Sequence, residues 1–159
     1  MTALVVSCAL YFSAQASLAA GEGSGWTVEP ELAPFAEQLR KVVLAHDVAG
    51  IVRLMEPSGL QCQPAPKLLS AVEAELKTPG SFWHSFFFDS QTLTAKFSEA
   101  GEKRFALEEI FKNGKEIEVR RQENRIEFVS SNYDTYPRLY LKQSPKGWLI
   151  ACDPKCGDC

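Results

Sequence analysis

The chain has 159 residues, of which 45% are hydrophobic, and its 17 basic and 20 acidic side chains give a net charge of −3. This length suits one domain that can bury its own core. The sequence contains no run or stripe of lysine and arginine, which excludes the positive field that nucleic-acid binding requires.

The N-terminal segment indicates export. Residues 1–20 carry no charged side chain and centre on an apolar run at 3–12, which is too short to span a bilayer. Small residues of the kind that signal peptidase reads follow, so we predict a signal peptide over 1–20 and a mature start between Ser17 and Gly21. The mature protein should be periplasmic or secreted, without stable membrane insertion. The alternative is a lipoprotein processed at Cys8.

A flexible lead over 21–29 and then a series of helices are predicted next. Residues 30–46 repeat apolar side chains with helical spacing. Asp47 can cap a second, shorter helix, and a third should run to Leu76.

Residues 81–93 form the most aromatic stretch, and their spacing predicts one short buried helix. A ligand-stacking patch built from the same rings is the alternative. Residues 105–111 predict one or two further helical turns that end at Gly114. We expect Glu108 and Glu109 to lie on an exposed edge of these turns.

In the C-terminal part of the chain the apolar period changes to two. An even loop between the first two strands would set Val119 opposite Phe128 and Arg120 opposite Glu127, with like side chains on each face. A turn is predicted over 144–147. The pattern predicts antiparallel strands over 115–122, 125–131, 136–143 and 147–152.

These elements predict an α+β fold, with N-terminal helices packed on one face of a C-terminal four-stranded antiparallel meander. A single domain should cover residues 30–159. Disulfides should tie its C-terminal tail to the helical part.

The cysteines after the signal peptide are Cys62, Cys152, Cys156 and Cys159. An even number in an oxidising compartment predicts two disulfides. Cys62 must pair with the tail, which holds the other three, and three connectivities are possible. Cys156 is the favoured partner, although a bridge between Cys156 and Cys159 stays open. A zinc site made by the four thiolates is the alternative, but the compartment favours oxidation, so no metal is predicted.

The sequence has no HExxH, GxSxG, P-loop or GxGxxG pattern. We therefore expect no cofactor and no catalytic set. A nucleophile pair of Cys62 with His46 or His84 is the alternative, which a disulfide at Cys62 would preclude.

The third predicted strand carries the candidate binding residues. Leu139 and Leu141 need the buried side, so the residues that alternate with them should share the opposite face. Tyrosine and arginine are favoured in interfaces because each buries a large area and keeps a polar group. An ordinary solvated face is the alternative. The candidate residues are Tyr136, Arg138, Tyr140 and Lys142.

These features predict a non-catalytic exported protein that binds a protein of the cell envelope, as inhibitors, immunity proteins and accessory factors do. The alternative is a small-molecule binder or hydrolase with a pocket between the helices and the sheet. A deep pocket with convergent polar groups would favour the second class, and a closed core the first.

Overall fold

The computed structural model describes residues 25–61, 65–99, 101–135 and 137–152, and the predicted signal peptide lies outside these ranges. The predicted α+β class is confirmed. The elements, in chain order, are β1 (Thr27–Val28), α1 (Ala33–Leu44), α2 (Val48–Arg53), α3 (Leu69–Leu76), α4 (Phe82–Phe88), α5 (Ser90–Phe97), α6 (Leu107–Asn113), β2 (Glu118–Gln122), β3 (Arg125–Val129), β4 (Arg138–Ser144) and β5 (Gly147–Ala151).

The sheet has five strands in the order β1-β2-β3-β4-β5, so the prediction of four antiparallel strands is wrong. Strands β2 to β5 form an antiparallel meander, whereas β1 pairs in parallel with β2, with Thr27 opposite Glu118. Strand β1 lies in the segment predicted as a flexible lead. A strand of two residues is too short to show an alternating pattern of apolar side chains. Its partner strand follows all six of the described helices. The local sequence pattern therefore could not predict this pairing.

The register predicted for the first hairpin is confirmed. Val119 lies opposite Phe128, and Arg120 lies opposite Glu127. A slip of one residue would have exchanged the apolar and charged faces, which is why the alternation could specify the register. The last hairpin turns within residues 144–147, as predicted.

Strand β2 begins at Glu118, later than the predicted residue 115. Glu116 has a φ of 49°, which is incompatible with an extended strand. The backbone amide of Lys115 donates instead to the hydroxyl of Ser130 at 2.8 Å.

Residues 81–93 form two helices rather than the single helix predicted. α4 ends and α5 begins at Asp89, whose carboxylate accepts hydrogen bonds from the hydroxyl and the amide of Thr92, at 2.6 and 2.9 Å. These bonds cap α5 and hold the pKa of Asp89 below its usual value. The predicted cap of α2 is confirmed, because Asp47 accepts from the amide of Gly50 at 2.8 Å.

One face of the meander forms the core together with the helices. The ring of Phe111 in α6 meets Phe128 edge-on, with centroids 5.3 Å apart. The segment after α2 lies beside β5: the amide of Ile150 donates to the carbonyl of Leu54 at 2.7 Å, and its carbonyl accepts from the amide of Glu56 at 2.9 Å. The buried sheet residues of this core include Val119, Ile126, Phe128, Leu139, Leu141 and Ile150.

Candidate binding site

Three of the four candidate binding residues lie on β4, and the fourth, Tyr136, is outside the described residues. Arg138 and Lys142 are exposed and Tyr140 is half-buried, whereas the two leucines between them are buried. Because side chains alternate along a strand, these three share the side opposite to that of Leu139 and Leu141. We call Arg138, Tyr140 and Lys142 the β4 face.

Both cations of the β4 face form ion pairs. Nε of Arg138 lies 2.8 Å from Oε1 of Glu127, its cross-strand neighbour in β3, and Lys142 pairs with Glu56. Glu127 is only 6% exposed. The alternation of β3 would put this carboxylate in solvent, so its burial was not predictable. The guanidinium of Arg138 compensates the buried charge.

A cleft of about 420 Å³ opens beside the β4 face. It is lined by residues of α4 and α5, of the segment 102–105, and of the segments 134–135 and 137–140. Arg138 and Tyr140 belong both to this cleft and to the β4 face. We call it the aromatic cleft, after a lining that includes Phe82, Phe86, Phe105 and Tyr140.

Helix α4 carries two pairs of aromatic residues that lie in different surroundings. Trp83 and Phe87 are buried, with 3% and 0% exposure. Phe82 and Phe86 are only partly buried and line the aromatic cleft. Residues four apart share one side of a helix, so one side of α4 enters the core and the adjacent side lines the cleft. The prediction of a buried stretch is therefore confirmed for Trp83 and Phe87, whereas the ligand-stacking alternative now concerns Phe82 and Phe86 and stays a prediction.

A smaller cavity of about 60 Å³, which we call the inner cavity, adjoins the aromatic cleft. The two share Phe82, Phe86, Arg138 and Tyr140 in their linings, and Trp83 also lines the inner cavity. The indole N–H of Trp83 is buried and has no acceptor in the part of the chain that the structure describes. Buried donors in folded proteins are nearly always hydrogen-bonded, which makes this group unusual.

The segment 102–105, which lines the aromatic cleft, is hydrogen-bonded to α5. The hydroxyl of Thr94 donates to the carbonyl of Arg104 at 2.9 Å and accepts from its amide at 3.0 Å. The guanidinium of Arg104 pairs with Glu102 at 3.3 Å. Asp134 is another acidic residue of the lining. These bonds hold one wall of the cleft in place, and the cleft carries charges of both signs.

A second polar cluster joins α1 to α6. Nε2 of His46 and Nζ of Lys112 both contact Oε1 of Glu108, at 2.6 and 2.5 Å. The prediction of an exposed Glu108 is wrong, because α6 packs this side against α1 and leaves the residue 8% exposed. Burial alone would raise the pKa of Glu108, but the hydrogen bonds from Lys112 and His46 outweigh it and hold the pKa below its usual value.

Neither histidine lines the aromatic cleft or the inner cavity. The ring of His46 stacks on Phe88, with centroids 4.6 Å apart. Cys62, the partner in the alternative nucleophile pair, lies outside the described residues. The contacts of His46 are therefore those of a residue that joins two helices.

Cys152 is the one cysteine within the described ranges. It is 7% exposed and disulfide-bonded. The predicted connectivity and the zinc alternative involve Cys62, Cys156 and Cys159, which lie outside these ranges. The pairing of Cys62 with Cys156 stays a prediction.

Among the described residues, no three histidine, cysteine or acidic side chains lie close enough together to hold a metal ion. No described helix has the length and apolar character that a membrane crossing needs. Comparison with family models, with curated proteins and with solved structures found no match.

Proposed function

We propose that this chain is an exported, non-catalytic binding protein whose contact site joins the β4 face to the aromatic cleft. The observation that carries the proposal is that Arg138 and Tyr140 belong to both surfaces. They offer a partner a guanidinium group and a phenol ring beside the partly exposed rings of Phe82 and Phe86. Arginine and tyrosine are among the residues that contribute most to interface binding energy.

Export is proposed from the uncharged apolar leader over 1–20, and the partner would then be a protein of the cell envelope. The same compartment would support disulfides among the four cysteines. N-terminal sequencing of exported protein should give a start between Ser17 and Gly21. Recovery of Met1 on that material would contradict the proposal of export.

A recognition role fits the polar groups of the site. The guanidiniums of Arg104 and Arg138 are each held by a carboxylate, so their positions are fixed before a partner arrives. The His46 and Glu108 pair belongs to neither cavity lining. These fixed guanidinium groups support a recognition role.

The volume of the cleft supports a second candidate function. Small-molecule pockets commonly measure about 300–1,000 Å³ and combine apolar walls with a few polar groups. The aromatic cleft, at about 420 Å³, lies within that range. A small-molecule binder is thus the alternative.

The β4 face is tested by capture of envelope proteins on the immobilised chain, followed by binding of the purified captured partner. Tyr140→Ala should abolish that binding while lowering the free energy of unfolding by about 1 kcal/mol. Arg138 needs a double variant, Arg138→Gln with Glu127→Gln, because removing the cation alone would leave the buried Glu127 carboxylate unpaired.

Arg53→Ala is the matched control, since Arg53 on α2 is also exposed and forms an ion pair, with Asp47 at the N-cap of that helix. It should keep full binding. Unchanged binding in the two β4-face variants would reject the surface. Parallel loss of folding and binding would mean that β4 is a structural strand and not a contact site.

A further inference from the structure

The aromatic cleft carries one acidic charge in excess. Arg104 lines the cleft and pairs with Glu102 at 3.3 Å. Arg138 lines it as well and pairs with Glu127 at 2.8 Å. Asp134 is a further residue of the lining; it is exposed and forms no ion pair with any residue that the structure describes. Both guanidiniums are thus matched by a carboxylate, and the charge of Asp134 is left over.

The two acidic residues of the lining belong to segments that are joined to each other. The hydroxyl of Thr135 donates a hydrogen bond to the backbone carbonyl of Lys103. Glu102 and Asp134 are each next in sequence to one of these residues, so they belong to adjoining parts of the lining. Because Arg104 neutralises only Glu102, this side of the cleft should attract a cation.

Aromatic rings supply much of the rest of the lining. Phe82 and Phe86 of α4 are only partly buried, with ring centroids 5.8 Å apart and an angle of 30° between the ring planes. Phe105 and Tyr140 are further rings of the cleft. The face of an aromatic ring is electron-rich and attracts a cation that lies over it. The rings and the excess charge therefore favour the same kind of ligand.

The fold already contains a guanidinium held between a ring and a carboxylate. Cζ of Arg121 lies 5.6 Å from the ring centroid of Trp148, and its Nη1 lies 2.5 Å from Oε1 of Glu31. A guanidinium is planar, so it can stack on a ring while its N–H groups point at a carboxylate. A lysine ammonium is compact and strongly hydrated, and it suits such a place less well.

We propose that the aromatic cleft receives an arginine side chain of the protein partner, whose guanidinium pairs with Asp134 and stacks on Phe82 and Phe86. Arg138 and Tyr140 belong both to the cleft and to the β4 face, so a partner that covers β4 can place a side chain in the cleft. This inference rests on the proposed function and adds the residue type by which the partner is recognised.

The experiment is an NMR titration of the ¹⁵N-labelled protein with N-acetyl-arginine methylamide and with its citrulline counterpart, which has the same shape and no charge. The backbone amides of the segments 102–105 and 134–135 report on the cleft. The arginine compound should shift them saturably, with a dissociation constant of about 1–10 mM, and the citrulline compound should bind about tenfold more weakly. Equal affinity for the two compounds, or no saturable shift with the arginine compound, would overturn the proposal.

Two variants test the residues that hold the guanidinium. Asp134→Asn, at an exposed position, should fold normally and weaken binding of the arginine compound by about threefold, as expected for an exposed ion pair. Phe86→Leu keeps an apolar side chain, removes the ring and should weaken binding by about fivefold. Full affinity in Asp134→Asn, or in folded Phe86→Leu, would reject the inference.

Glu37→Gln is the matched control for Asp134→Asn. Glu37 is also exposed, forms no ion pair within the described part of the chain and lines neither cavity. The variant changes the net charge by the same amount and should keep full affinity. An equal loss of affinity in both variants would mean that net charge, and not a place for the guanidinium beside Asp134, governs binding.

The purified captured partner distinguishes a side chain from a free ligand. Asp134→Asn should weaken binding of this partner by about threefold as well. If the variant weakened binding of the arginine compound alone, a free guanidinium ligand would be assigned to the cleft and the partner's arginine would be rejected. The proposed function would survive failure of this inference if Tyr140→Ala still abolished partner binding.

Discussion

Nε2 of His46 and Oε1 of Glu108 lie 2.6 Å apart and connect the end of α1 to the buried side of α6. The folded protein holds the pKa of Glu108 below its ordinary value of 4.5. A carboxyl group whose pKa is lower in the folded than in the unfolded protein stabilises the fold at pH values above its unfolded-state pKa. This contribution is lost as the pH falls through the folded-state pKa. Wild-type protein should therefore lose its advantage over Glu108→Gln as the pH drops below about 4.5.

Urea unfolding of both proteins at a series of pH values between 7 and 3 measures this difference. Glu37→Gln removes one exposed carboxylate of α1 and is the control for a change in net charge. A constant gap between wild type and Glu108→Gln across the series would show that the Glu108 carboxylate contributes nothing through its ionisation.

Gly50 lies in α2, where alanine would ordinarily be the better helix former by about 1 kcal/mol. A Cβ at this position would lie 2.6 Å from Cγ1 of Val42 and would also collide with the carboxylate of Asp47. We expect Gly50→Ala to destabilise the protein by about 1–3 kcal/mol, because it overpacks the contact and displaces the cap. Ala49→Gly, at the exposed neighbouring position, should cost only about 1 kcal/mol from helix propensity. Gly50→Ala with wild-type stability in chemical denaturation would disprove the clash.

Asp89 caps α5 through two hydrogen bonds with Thr92. Asp89→Ala should lower the free energy of unfolding by about 1 kcal/mol and reduce the helical signal in circular dichroism. Asp89→Asn should retain most of the stability, since asparagine caps helices nearly as well. Equal losses in the two variants would mean that the charge of Asp89, and not the cap, is what matters.

The disulfide of Cys152 should reach Cys62. The hydrogen bonds of Ile150 with Leu54 and Glu56 bring the segment that leads to Cys62 beside the strand that leads to Cys152. Cys156 and Cys159 would then form the second bridge, in place of the Cys62–Cys156 pairing that the sequence favoured. Peptide mapping under non-reducing conditions should recover the Cys62–Cys152 pair, and a Cys62–Cys156 peptide would restore the earlier prediction.

The sequence predicted elements whose signals are local. The register of β2 and β3 followed from the alternation of Val119 and Arg120 with their neighbours, because each side chain can take only one face. The break at Asp89 had a local signal as well, an acidic cap followed by Thr92, but the uninterrupted aromatic spacing concealed it.

What the sequence could not predict depends on contacts between distant segments. The sequence pattern indicated that Glu127 and Glu108 are solvated carboxylates. Glu127 is instead buried beside Arg138 of the neighbouring strand, and Glu108 is buried beside Lys112 in the next turn of its helix. The aromatic cleft forms only where α4 and α5 meet the residues around the start of β4, so no single stretch encodes it.

The backbone contacts of Ile150 have a further consequence for how other molecules can attach. Exposed sheet edges can accept a foreign strand, which is a route both to peptide binding and to aggregation. Here the segment after α2 occupies the outward amide and carbonyl of Ile150 near the middle of β5, and β1 at the opposite margin has only two residues. Strand addition therefore has little continuous backbone to extend at either margin. A foreign strand would therefore have to displace the contacts of Ile150 before it could pair along the middle of β5.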